Sequence, residues 1–139
     1  MTLLDCCRAI IVGFAVFAGT LLLSIPMVAV YAHLINPGHS SEFYREAATW
    51  IAPWSSHIGG PLLFFWLTRR HTVRHPETNA VAFAFPTIVS YVVIDLSSVQ
   101  IFGLALSSVV TRAFVASLAV KSVAAFAGAI LGSRRRTVK

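Results

Sequence analysis

Residues 9–32, AIIVGFAVFAGTLLLSIPMVAVYA, decide the fold of this chain, because they form 24 consecutive residues without a charge. A membrane-spanning helix needs about 20 apolar residues, since each residue rises about 1.5 Å and the hydrocarbon core is about 30 Å thick. Three further apolar stretches follow at about 50–68, 79–101 and 107–132. The pattern predicts an all-α integral membrane protein, an antiparallel bundle of four transmembrane helices.

The composition of the chain excludes most classes of soluble protein. Hydrophobic residues make up 57% of the 139 residues and charged residues 12%, whereas soluble domains have about 25% charged residues. A water-soluble fold of this composition would expose much apolar surface and aggregate. The length allows one domain, so we predict a single transmembrane domain over residues 1–139, ending in a short basic tail at 133–139.

The basic residues flank the apolar stretches and predict the topology. Eight Lys and Arg lie in the N-terminal tail, the 69–78 link and the C-terminal tail, whereas the 33–49 link has only Arg45. Because cytoplasmic segments carry the excess of Lys and Arg, we predict a cell-membrane protein with both termini in the cytoplasm. The basic segments should contact anionic lipid headgroups. Nucleic acid is not an expected partner, since its binders gather basic residues on one folded face.

The first apolar stretch has a second interpretation. Arg8, the apolar run and Val30-Tyr31-Ala32 resemble a signal peptide with a small-residue cleavage site. The run is longer than the apolar core of such peptides, which has about 7–15 residues. We therefore favour a helix that is retained, and cleavage would leave the topology of the later stretches unchanged.

The 33–49 link contains a predicted helix start. Ser40 and Ser41 are followed by Glu42, and a serine before an acidic first turn is typical of a helix N-terminus. Aromatic residues follow, as expected at a membrane interface. They are Phe43, Tyr44, Trp50 and Trp54. We predict a short surface helix leading into the second span.

Lys121 lies about a dozen residues from the inner end of the fourth stretch, near the middle of the membrane. A charge at that depth costs roughly 2.5–3.5 kcal/mol to insert, so the side chain should face protein. Small residues share its helix face, which is typical of close helix packing. They are Ser117, Ala124, Ala125 and Gly128. Two interpretations remain open: a lysine that locks this packing, or a site that handles protons or an anion.

Asp95 and Arg112 lie 8 and 9 residues from Gly103, where we expect the third and fourth helices to fold back. The two side chains would then lie at the same depth, which predicts an ion pair. Tyr91 precedes Asp95 by one helical turn and gives that helix a polar stripe. Lys121 lies on the opposite side of its helix from Arg112, so one aspartate is not expected to serve both cations.

The second span contains the unusual segment Ser55-Ser56-His57-Ile58-Gly59-Gly60-Pro61. Pro61 has no N–H, so the carbonyl of His57 loses its helical partner. One interpretation is a broken helix whose freed carbonyl lines a binding site, as in transporters. The other is a kinked helix with a purely structural role. His57 has no second imidazole at similar depth, so no haem, other cofactor or metal is expected.

Three functional hypotheses follow. The first is a small transport or permeation protein for protons, ions or a small anionic solute, and its pathway residues would be His57, Tyr91, Asp95, Arg112, Ser117 and Lys121. The second is an accessory or assembly subunit of a larger membrane complex. A membrane enzyme is least favoured, because no catalytic constellation stands out. Four short spans enclose little interior, so we expect a homo-oligomer or a hetero-complex.

Overall fold

The computed structural model describes residues 2–101 and 110–134, and these residues form four long helices and no strand. Helix α1 spans Leu3–Val30 and continues as a π-helical turn over Tyr31–Ile35. Helix α2 spans Ser41–Arg74, α3 spans Ala80–Ile101 and α4 spans Arg112–Arg134. The expected turn at Gly103, the first residues of the fourth apolar stretch and tail residues 135–139 lie outside the described residues.

Three of the helical segments are long and apolar enough to cross a membrane, namely Leu3–Ile35, Ala80–Ile101 and Arg112–Arg134. The prediction of long apolar helices is therefore confirmed for these three. Helix α2 has 34 residues but is not among them, because prolines, serines and His57 interrupt its apolar residues. Helix α2 is long enough to cross a membrane, but it is less apolar than the other three helical segments.

Side-chain caps explain where α1 and α2 begin. The Thr2 hydroxyl accepts a hydrogen bond from the Asp5 N–H, and the Asp5 carboxylate accepts one from the Thr2 N–H, which is a capping box. Ser40 caps α2 by accepting a hydrogen bond from the Phe43 N–H. The helix start predicted at this serine is confirmed. The helix then continues to Arg74, so the predicted surface helix and the second span are one helix.

Helix α2 also continues without interruption through Gly59-Gly60-Pro61. The broken-helix interpretation is therefore wrong. A Cβ atom on Gly59 would lie 2.5 Å from Leu23 Cδ1 of α1, and one on Gly60 would lie 2.5 Å from Lys121 Cε of α4. The paired glycines thus bring two neighbouring helices close to α2 on different sides.

The core lies where the four helices meet, at Val16, Phe64, Tyr91 and Ala125. The ring of Phe64 packs edge-on against that of Tyr91, with centroids 5.1 Å apart. Aromatic pairs of this kind favour the edge-on arrangement because ring edges are positive and faces negative. Tyr91 belongs to this core and also contacts the polar side chains described below.

Helices α2 and α4 are in close contact at two glycines of α4. A Cβ atom on Gly128 would collide with the Phe65 carbonyl, and one on Gly132 with the Thr72 side chain. One turn before Gly128, the carbonyl of Ala125 accepts a hydrogen bond of 3.0 Å from the Thr68 hydroxyl. Small residues and an interhelical hydroxyl are the means by which helices associate in membranes. This contact fixes the register between α2 and α4.

Candidate functional site

A polar cluster lies inside the bundle, between α2, α3 and α4. Each helix supplies two side chains: α3 and α4 each supply a pair one turn apart on one face, whereas the adjacent pair of α2 contacts different residues of the cluster. We call this set the lysine cluster, and it comprises Ser56, His57, Tyr91, Asp95, Ser117 and Lys121. Five of its six members are among the six pathway residues that the sequence predicts, and Arg112 is the predicted residue that is not in the cluster.

Lys121 is the centre of the lysine cluster and is only 3% exposed. Its Nζ donates hydrogen bonds to Ser56 Oγ at 2.7 Å and to the Tyr91 hydroxyl at 2.9 Å. The same nitrogen lies 4.9 Å from the centroid of the Tyr91 ring, within the range of a cation–π contact. An ammonium has three N–H groups. In the part of the chain that the structure describes, two of the three have acceptors.

Gly60 forms the surface on which the lysine side chain lies. A Cβ atom at this position would be 2.5 Å from Lys121 Cε and 3.4 Å from Cδ. The methylene groups of Lys121 therefore pack against bare backbone of α2, and this contact directs the ammonium toward Ser56, one turn earlier on the same face. A side chain at position 60 would displace the lysine.

A second interhelical hydrogen bond lies one turn from the lysine. His57 Nδ1 is 2.9 Å from Ser117 Oγ, and Ser117 precedes Lys121 by one turn of α4. The ring of Trp54 packs edge-on against that of His57 at 6.2 Å. His57 is half-buried, so its imidazole connects the interior of the cluster with the outer surface of α2.

Asp95 supplies the negative charge of the lysine cluster. It follows Tyr91 by one turn of α3, is half-buried, and interacts electrostatically with Lys121. The two charges are not in contact, since no Asp95–Lys121 ion pair within 4 Å occurs among the described residues. The ammonium therefore depends on hydroxyl groups for its direct partners.

Arg112 does not belong to the lysine cluster, and the expected ion pair between Asp95 and Arg112 is not formed. Arg112 is the first residue of α4 and is exposed. The ion pairs within the described ranges join Asp5 to Arg8, Glu42 to Arg45 and Glu77 to His75. The prediction of this pair assumes that the third and fourth helices fold back at Gly103, whereas α4 begins at Arg112, so this arginine lies at the helix end. The cation that interacts with Asp95 is Lys121.

Two members of the site were missed by the sequence reasoning: Ser56, which accepts from the ammonium, and Gly60, which seats the lysine stem. Both belong to the segment whose glycines and proline suggest a helix break. Their four-residue spacing puts them on one helix face, and this is the signal that could have found them. The serine hydroxyl accepts a hydrogen bond from the lysine ammonium, and the glycine leaves space for the lysine methylene groups.

A second polar group lies at the other end of α2, which we call the histidine stack: His71, His75 and Phe83. His71 is 9% exposed, and its ring stacks on Phe83 with centroids 3.8 Å apart. Its Nε2 atom is buried without a hydrogen-bond partner in the described residues. Burial, with smaller contributions from His75 and Arg8, lowers the pKa of His71 to about 4. The imidazole is therefore neutral at pH 7.

The remaining candidate ligands do not gather at one centre. Within residues 2–101 and 110–134, no three His, Cys, Asp or Glu side chains are arranged to hold a metal ion. Cys6 and Cys7 are free thiols. Comparison with known proteins adds no candidate, since no family model, curated protein or solved structure matches the chain.

Proposed function

We propose that the chain is a multi-pass membrane protein whose four helices cross the bilayer in alternating directions, with both termini in the cytoplasm. The order of the contacts supports this arrangement, because Leu23 packs at Gly59 whereas Gly19 packs at Leu63. Moving along the contact, the residue numbers decrease on α1 and increase on α2, which indicates that these two helices are antiparallel. The distribution of Lys and Arg supports the orientation.

The outer surface of the bundle supports the membrane placement. Large apolar side chains are exposed on every helix, whereas the lysine cluster faces inward. Examples are Leu22, Leu62, Val93 and Val123. Helix α2 fits the same scheme despite its polar composition, because its serines contact neighbouring helices. Such a surface needs lipid or a protein partner around it.

We propose that the lysine cluster carries protons or a small anionic solute across the membrane. One observation carries this proposal: a buried ammonium that has two hydroxyl partners, an open third N–H and no carboxylate within 4 Å in the described residues. A buried charge without a counter-charge in direct contact is costly. The site lowers that cost either by accepting an anion at the open N–H or by releasing a proton.

The second hydrogen-bonded pair gives the cluster a route outward. His57 is half-buried and bonded to Ser117, and a neutral imidazole both accepts and donates a proton. Ser117 and Lys121 share one face of α4. In the proposed mechanism, a proton or anion held at Lys121 passes the His57–Ser117 pair, and Asp95 balances the ammonium charge when no anion is bound.

The proposal is tested by replacing the ammonium. Lys121→Leu should abolish flux of protons and of small anions in reconstituted vesicles, measured with a pH-sensitive dye and an anion-sensitive dye. The variant should insert as well as the parent chain, because it removes a buried charge. Arg112→Gln is the matched control, since it removes an exposed cation outside the lysine cluster. Flux that is unchanged in Lys121→Leu would contradict the proposal.

Tyr91→Phe tests the same site while keeping the charge. It removes one of two hydroxyl partners of a buried ammonium, and hydrogen bonds to charged groups contribute about 1.5–3 kcal/mol. We expect a lower melting temperature and reduced flux. In a Lys121→Leu background the same substitution should cost much less, because no ammonium is left to satisfy. Equal costs in both backgrounds would separate Tyr91 from the function of Lys121.

A second candidate function is favoured by an apolar groove between α1 and α2. It has a volume of about 800 Å³ and is lined by residues such as Met27, Tyr31, Trp50 and Trp54. A groove of this kind fits a helix of another subunit, so the chain would be an accessory or assembly subunit, or a homo-oligomer. Native mass spectrometry of the complex in mild detergent tests this. A stoichiometric partner, with no flux from the chain alone, would replace the transport proposal.

A further inference from the structure

The end of α2 carries a basic cleft, formed by Trp66, Arg69, Arg70, Val73 and Arg74. These arginines were expected in a link, but α2 continues to Arg74, so they occupy its last two turns. At about 100° per residue, the five side chains fall within about 140° on one side of the helix. They enclose a cleft of about 400 Å³.

The charge of the basic cleft is not compensated by the chain in the described residues. None of its three arginines takes part in the ion pairs found there, and Glu77 is paired with His75. The guanidinium carbon of Arg70 lies 5.1 Å from the centre of the Trp66 ring, in a cation–π contact. The cleft therefore presents several positive charges around an aromatic floor, which suits an anion.

An apolar column leads away from the arginines along the same side of α2. Trp66 is 52% exposed, and Leu62 and Ile58, at successive four-residue steps, are 67% and 59% exposed. At about 1.5 Å per residue the column from Trp66 to Ile58 is about 12 Å long. A ligand that fills both parts must have an anionic end and an apolar end.

We propose that the basic cleft binds the phosphodiester of an anionic phospholipid, whose acyl chain lies along Leu62 and Ile58. Guanidinium groups bind phosphate oxygens with two parallel hydrogen bonds, which makes arginine the preferred residue for this contact. A free phosphate would gain nothing from the apolar column. A zwitterionic lipid would bring its own ammonium against three arginines. The inference rests on the membrane placement of the proposed function and is independent of Lys121. It excludes a subunit helix from the part of the apolar groove that Leu62 and Ile58 line.

The experiment uses Trp66 as a reporter. Trp50→Phe and Trp54→Phe leave Trp66 as the sole tryptophan of the chain's three. The protein is reconstituted in phosphatidylcholine nanodiscs that contain a small fraction of brominated phosphatidylglycerol or brominated phosphatidylcholine. We expect the brominated anionic lipid to quench Trp66 fluorescence at a several-fold lower fraction than the brominated zwitterionic lipid.

Substitutions then assign the selectivity to the basic cleft. Arg70→Gln and Arg74→Gln should each reduce the preference for the anionic lipid by about fivefold, since a basic residue near the membrane surface contributes about that factor. Arg45→Gln is the matched control. It removes an arginine whose side chain is 77% exposed near the other end of α2, so the preference should be retained.

Each alternative result overturns the inference in a different way. Equal quenching by both brominated lipids would remove the anionic selectivity while leaving the membrane placement intact. Quenching by neither would contradict the membrane placement as well. Loss of the selective quenching on addition of millimolar inorganic phosphate would identify a soluble anion, rather than a lipid, as the ligand.

Discussion

The lysine cluster and the histidine stack both bury a nitrogen base, but they satisfy it differently. The Lys121 ammonium donates to Ser56 and Tyr91 at 2.7 and 2.9 Å. His71 instead stacks on Phe83, and its Nε2 has no partner in the described residues. The difference teaches that a buried cation needs polar partners, whereas an imidazole can be buried by losing its proton.

The two regions should therefore respond to different perturbations. The lysine cluster depends on geometry, because its hydrogen bonds and its glycine seat fix one position of the side chain. The histidine stack depends on pH, because a proton on His71 would place a charge between two rings. Substitutions that alter space should affect the first, and acidification should affect the second.

Acidification is expected to give the largest effect and would sharpen the contrast. The pKa of His71 is about 4 in the folded protein, compared with an ordinary value of 6.5. Above pH 6.5 the His71 imidazole is neutral in both the folded and the unfolded protein. Between pH 6.5 and 4 it binds a proton in the unfolded protein but not in the folded one. Stability should thus fall as the pH falls through this window, by at most about 3 kcal/mol for this group. Melting in detergent between pH 7.5 and 4 measures it.

Two variants assign that pH dependence. His71→Phe retains an aromatic ring against Phe83 and removes the titrating group, so the curve should flatten. His39→Asn removes an exposed imidazole on the 33–49 link and should leave the slope as it is. A slope that is the same in His71→Phe and the parent chain would place the acid sensitivity elsewhere.

Gly60→Ala should break the geometry of the lysine cluster. The new Cβ would lie 2.5 Å from Lys121 Cε, and overpacking of this kind costs about 1–3 kcal/mol. In a Lys121→Ala background the clash disappears, so the cost should fall to near zero. Melting of the four chains in this double-mutant cycle measures the coupling.

Gly59→Ala is the matched control for this cycle. Its Cβ would meet Leu23 of α1 rather than the lysine, so its cost should be the same with Lys121 or with Ala at position 121. Additive costs for Gly60→Ala and Lys121→Ala would show that the glycine does not seat the lysine.

The smallest effect is expected at Arg112, which lies in neither region. Arg112→Gln should change stability by less than about 0.5 kcal/mol, since the side chain is exposed and unpaired among the described residues. Asp95→Asn should have the same effect with or without it. If Arg112→Gln partly rescued the stability lost in Asp95→Asn, the result would support the predicted ion pair between Asp95 and Arg112.

Much of the helical framework was predictable because it depends on local composition. A charge-free run identifies α1, a long apolar run with Asp95 as its one charge identifies α3, and a serine before an acidic residue identifies the start of α2. The burial of Lys121 was predictable for a similar reason, because a charge near the middle of an apolar helix is too costly to expose to lipid. These inferences need only one helix at a time.

The parts that failed depend on how helices meet. Whether Gly59-Gly60-Pro61 breaks α2 is decided by what packs there, and in this fold Leu23 and Lys121 fill the space that the glycines leave. The partner of Asp95 is decided by where α4 begins. A start at Arg112 instead of residue 107 leaves that arginine at the helix end. Neither the packing around the glycines nor the partner of Asp95 can be calculated from residue spacing along the chain.

The length of α2 has a consequence on the outer side of the proposed membrane. Its 34 residues measure about 51 Å, and the last six, which carry the arginines of the basic cleft, take up about 9 Å of this on the inner side. At a typical tilt of about 20°, the remaining length of about 42 Å extends about 39 Å along the normal. The hydrocarbon core takes up about 30 Å, so a rigid stalk stands clear of it. An antibody or fluorophore attached at Glu46 would follow rotations of the helix that holds Ser56 and His57, without entering the membrane.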